Sequence, residues 1–83
     1  MNYREHIKHI FNEAQSVLKE YTVLCMKAHT GHQINDELLR QCDEKFKEYN
    51  QLLSFHHKLL KKVVKNEVKL NEVVSISDTY AAI

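Results

Sequence analysis

At 83 residues the chain has room for one domain and, unless it oligomerises or carries staples, for no large enclosed pocket. Twelve basic and 11 acidic residues leave a formal charge of +1, so no global field draws it to nucleic acid or to an anionic membrane. No proline, no tryptophan and a single glycine permit long uninterrupted helices and leave almost no turn residues for a sheet.

The start, MNYREHIKHIFNEAQ, is charged every few residues and has no signal-peptide core, and no later run approaches the roughly 18 apolar residues of a membrane span. Two cysteines fit a reducing compartment, since small secreted domains carry several bridges. A soluble cytoplasmic protein is expected, with no cofactor.

From Tyr3 to Ala28 the residues Tyr3, Ile7, Ile10, Phe11, Ala14, Val17, Leu18, Tyr21, Leu24, Cys25 and Ala28 repeat at helical spacing, which predicts a first helix near 40 Å long. Gly31 is the natural place for it to end, and Asn35 or Asp36 can cap the next helix. The second helix is the organising element. Leu38, Leu39, Cys42, Phe46, Tyr49, Leu52, Leu53, His56, Leu59 and Leu60 form one wide apolar stripe along it.

A connection of about six residues implies an antiparallel hairpin, in which facing residue numbers add to about 64–67. The valine-rich stretch Lys61–Val74 is expected to continue helix two to about Leu70, overhanging its partner. Residues 1–74 then form the hairpin domain and residues 75–83, SISDTYAAI, a loose tail.

The predicted fold class is therefore all-α, an antiparallel two-helix hairpin. Each stripe is covered on one side only, and a buried leucine-sized side chain contributes only about 1.5–3 kcal/mol. A homodimer forming a four-helix bundle is the simplest remedy, with Phe11, Leu18, Phe46, Tyr49, Leu53 and Leu60 in its seam. Val23 and Met26 fall off the stripe near the turn and form a second candidate partner surface.

The register brings Cys25 near Cys42. With His29 and His32 these make a Cys2His2 set able in principle to hold zinc. The spacing matches no standard finger, and packing cysteines are the expected reading, with no metal. His6 and His9 fall near His56 and His57 at the other end, where His56 is expected on the seam and the other three solvated at its rim. The lysines at 58, 61, 62, 65 and 69 lack interleaved arginines or stacking aromatics and read as a solvated face. No phosphate loop, nucleophile elbow or concave carboxylate pair is present.

The segment Ala28–Tyr49 resembles the small sporulation-regulating aspartyl-phosphate phosphatases of Bacillus, of the stage-zero E type. Thr30-Gly31-His32 looks like their glycine-containing turn, Cys42-Asp43 falls on their Leu-Asp pair, and Glu48-Tyr49 on the acidic-aromatic pair that follows. Leu39 and Arg40 stand where the family has serine and glutamine. The resemblance implies a phosphorylated response regulator as partner and Asp43 as the residue that acts on it. From the residues themselves the expected function is interaction: a small regulatory protein that binds a protein partner, itself included, through Val23, Met26, Phe46, Tyr49, Leu53 and Leu60.

Overall fold

The structure, a computed structural model, describes residues 1–29 and 35–79. Two helices, α1 (Tyr3–Ala28) and α2 (Asp36–Val64), pack side by side, and a 3-10 turn at Ile76–Asp78 follows. Among the described residues there is no strand, only an isolated antiparallel bridge between Asn2 and Val73, and no helix is long and apolar enough to cross a membrane.

Both helices start on an asparagine. Asn2 Oδ1 accepts the Glu5 N–H at 2.9 Å and Asn35 Oδ1 the Leu38 N–H at 3.0 Å, each satisfying a donor that the first turn leaves open. Phe11 packs on His56 and Tyr21 on Phe46, with ring centroids 5.5 and 5.4 Å apart, so the hairpin is antiparallel in the expected register. The seam buries Ile7, Ile10, Ala14 and Val17 of α1 against Leu52 and Leu59 of α2. Ile10 and Leu59 are almost wholly enclosed, each contributing about 1.5–3 kcal/mol.

The end of α2 corrects the expectation of a helix running to about Leu70. It stops at Val64 in a Schellman arrangement: the Glu67 N–H donates to the Lys62 carbonyl at 2.9 Å and the Asn66 N–H to the Val63 carbonyl at 3.0 Å. Asn66 takes the left-handed backbone, φ 60°, that this turn requires. Asparagine is among the few residues besides glycine that adopt it readily.

The chain then runs back across the open end of the hairpin. Tyr3 and Arg4, whose N–H groups have no partner within α1, donate to the carbonyls of Glu72 and Leu70, both at 3.0 Å, and the Val74 N–H donates to the Met1 carbonyl at 3.1 Å. Val68, Leu70 and Val74, which a continued helix would have carried out into water, pack against the core.

Within the expected loose tail, Asp78 is buried and anchored, while Ser75, Ile76, Ser77 and Thr79 stay exposed. Asp78 is 2 % exposed. Its Oδ2 accepts the Tyr3 hydroxyl at 2.6 Å and the Ser75 hydroxyl at 3.2 Å, while its Oδ1 pairs with Lys62 Nζ at 2.5 Å. His6, expected at a solvated rim, is instead buried. Its Nε2 lies 3.1 Å from the Asp78 carbonyl, an acceptor only, so the ring proton sits on that nitrogen. Residues 80–83, the rest of that tail, lie outside the described residues.

Hydrogen bonds from Lys62 and then Tyr3 hold the Asp78 carboxyl below the usual carboxylate range, and Asp78 holds the Lys62 ammonium above its ordinary value. A carboxylate with a depressed folded pKa stabilises above its unfolded value and loses that contribution as pH falls through the folded one. Tyr3→Phe is therefore expected to lower the unfolding free energy by about 1–3 kcal/mol at neutral pH, because the buried carboxylate loses a donor. In urea titrations the difference from the parent protein should narrow in acid, once Asp78 is protonated in both. A difference that stays constant down to low pH would mean that Tyr3 acts by packing alone.

Candidate functional site

The closing segment lies on one side of the hairpin. His6 and Phe55, whose rings meet edge to face at 6.1 Å, mark that side. Phe11 and Leu53 point roughly the other way around their helices, at five and two residues' rotation of about 100° each. Two rows run along this second side: Phe11 and Leu18 on α1, and Leu39, Phe46, Leu53 and Leu60 on α2, each step being seven residues. The Phe11–His56 and Tyr21–Phe46 contacts join the rows into one face.

This face is incompletely covered. Phe11 is 44 % exposed, Phe46 45 % and Leu60 39 %, while Leu18, Leu39, Tyr49 and Leu53 are half-buried. Gln15, Thr22 and Asn50, one turn beyond Phe11, Leu18 and Phe46, are uncharged. The ion pairs linking Lys45 to Glu20 (2.7 Å) and Glu48 (3.5 Å), and Lys62 to Asp78, lie away from the rows. An apolar centre with aromatic anchors and a polar border, uncharged at Gln15, Thr22 and Asn50 and charged at Asp43, is the composition of a recognition surface.

The two exposed residues expected near the turn separate from this face to different degrees. Val23, 49 % exposed, turns the other way and lines a shallow hollow of about 390 Å³ with Lys19, Glu20, Leu24 and Lys45. Met26, 67 % exposed, lies one turn beyond Thr22 at the border. Tyr49, Leu53, Phe46 and Leu60 stand together as one surface.

The cysteines meet as the register requires, one turn nearer the hairpin's closed end than Tyr21 and Phe46. Both are free thiols, and Cys42 is buried. Burial pushes the Cys42 thiol up, and a hydrogen bond with Cys25 adds to the shift; the Tyr21 hydroxyl is likewise raised by its hydrogen bond with Cys25. His29 directs Nδ1 at the Cys25 carbonyl, 2.8 Å away, and His32 lies outside the described residues. Among the described residues no three of histidine, cysteine, aspartate and glutamate converge on one point that would suit a metal.

The four histidines of the open end do not assemble. His6 bonds to Asp78, His9 lies 3.9 Å from Glu13 one turn along α1, and His56 packs on Phe11. Asp43 is exposed at the border of the face, one turn from Leu39, and pairs with Lys47 at 3.1 Å. The Asp78 group, with Tyr3, Lys62 and Ser75, is absent from the sequence reading. Its one local signal is Asn66, which marks where the chain can reverse.

No protein-family model, no curated protein and no solved structure matches the chain.

Burial, and then repulsion from His57, hold the His56 imidazole below its ordinary value. A histidine kept neutral this way stabilises the fold above its unfolded pKa and loses that contribution as pH falls through the folded one. The melting temperature should therefore drop as pH is lowered from about 7 to about 5, the range in which an ordinary imidazole charges, and His56→Leu should reduce the drop. An equal drop in the variant would assign the acid sensitivity elsewhere.

Proposed function

We propose that this protein is a small helical interaction module that regulates a protein partner by binding it through the Phe11–Leu18 and Leu39–Leu60 rows, without enzymatic activity of its own. The observation that supports it is the face itself: three large side chains, two of them aromatic, remain about two-fifths exposed across the two rows. Contiguous apolar surface of this kind is costly in water and is retained where something covers it. Two free cysteines in contact suit a reducing compartment, and we place the protein in the cytoplasm on that ground.

A photo-cross-linking residue at Phe46 should give discrete adducts in the native host cell, whereas the same residue at Ser54, which lies off the rows, should give none. The adducts should disappear when Leu60→Glu is added. Adducts of equal yield from both positions would remove the face from the function.

Asp43 supports a second reading, that of a phosphatase acting on a response regulator, because its carboxylate stands exposed beside the face that would dock the partner. A helix-borne carboxylate placed there would orient water at the partner's phosphoaspartate, with the partner supplying metal and most of the electrostatics. The non-enzymatic reading expects no change in the dephosphorylation rate of aspartyl-phosphorylated response regulators when the protein is added. Acceleration that vanishes in Asp43→Ala would transfer the assignment to the phosphatase.

A further inference from the structure

The binding reading makes no use of the two thiols. We infer that Cys25 and Cys42 form a reversible modification site, which a low-molecular-weight disulfide such as glutathione disulfide oxidises to a bond between the helices that clamps the hairpin. This site goes beyond the binding reading and does not depend on it.

Geometry brings the pair together from both directions. Tyr21 and Phe46 pack with ring centroids 5.4 Å apart. One turn on from Tyr21 is Cys25, and one turn back from Phe46 is Cys42, so the antiparallel register sets the cysteines level and on the same sides of their helices as the two rings. On the far side of the pair the Asn35 N–H donates to the Ala28 carbonyl at 3.4 Å, which keeps the helices together beyond this level as well. Cys25 shares hydrogen bonds with the Cys42 thiol and with the Tyr21 hydroxyl. Sulfurs already in contact need only a small side-chain rotation to reach the bond length of about 2.0 Å.

Exposure makes the two thiols unequal. Cys42 is 5 % exposed and Cys25 half-buried. Burial holds the Cys42 thiol protonated at neutral pH, and a buried neutral thiol is a poor nucleophile toward a dissolved reagent. Cys25 is therefore the sulfur that the small disulfide meets. Cys25 gives up its proton to solvent, and its thiolate attacks one sulfur of the small disulfide. That S–S bond breaks, one small thiolate leaves with the electron pair, and a mixed disulfide stands on Cys25. Cys42 then loses its proton and attacks the Cys25 sulfur, expelling the second small thiolate. Two protein thiols are oxidised to one disulfide, one small disulfide is reduced to two small thiols, and the two protons end on the latter.

In a reducing compartment the pair rests as thiols, and the bond forms when the fraction of small disulfide rises. Cys25 and Cys42 stand 17 positions apart in sequence, so closure constrains the unfolded chain and stabilises the folded one.

The test equilibrates the reduced full chain with glutathione disulfide in native buffer. The chain should lose the mass of two hydrogens while staying a single chain on a non-reducing gel. A non-reducing tryptic digest should join fragment 20–27 to fragment 41–45. The melting temperature should rise by on the order of 10 °C, and dithiothreitol should reverse all three changes. Cys42→Ala should stop with one glutathionyl group on Cys25, and Cys25→Ser should leave Cys42 unmodified; where a variant fails to fold, the result for the parent protein decides.

A parent protein that retains glutathione without closing the bond, or that links only between chains, overturns the inference. So does an oxidised chain that melts no higher than the reduced one. Cys42 reacting in Cys25→Ser as fast as Cys25 reacts in Cys42→Ala would overturn the order of attack.

Discussion

The carboxylate of Asp78 decides the shape of this molecule. An aspartate 2 % exposed is costly to bury unless every lone pair is met. The groups that meet it come from the first residue of α1 (Tyr3), from the last turn of α2 (Lys62) and from the returning segment (Ser75). These groups join the start of the first helix, the end of the second and the residues beyond it. By tying them together the carboxylate selects the side of the hairpin on which residues 65–79 lie. It also holds Leu70 and Glu72 where their carbonyls meet the open N–H groups of α1.

That choice has a consequence on the opposite side. Each helix carries an apolar stripe wider than one neighbouring helix covers, so a hairpin has two flanks to bury. The returning segment serves the flank of His6 and Phe55, at the open end. The flank of Phe11, Leu18, Phe46, Leu53 and Leu60 receives the tilted ring contacts of His56 and Tyr21. The ion pairs of Lys45 and Lys62 lie away from it. Physically it is the part of the molecule with the most to gain from contact, which is why binding is assigned to it and not to the histidines or cysteines.

The groups that looked most chemical in the sequence are dispersed by the packing. Cys25 and Cys42 do face one another, because the antiparallel register of the two long helices brings them level. The histidines separate because a register places residues at the same level without placing them on the same side. His6 and His56 are near one end together, yet one turns to Asp78 and the other to Phe11. Side is set by helical rotation, and a count of residues across the turn does not contain it.

By itself the sequence determined both helices, the asparagine cap of the second and their antiparallel register. All of these follow from local periodicity and from the short connection, information carried within a few turns of chain. What only the tertiary structure decided is where the second helix ends, which flank is covered and that Asp78 is buried. The helix end had one local trace, the asparagine at 66 in left-handed backbone. The rest depends on bonds between residues more than 60 positions apart in sequence, such as Tyr3 with Asp78. A lone aspartate in a tail reads as solvated until the three partners that neutralise it are brought to the same place, and only the folded chain does that.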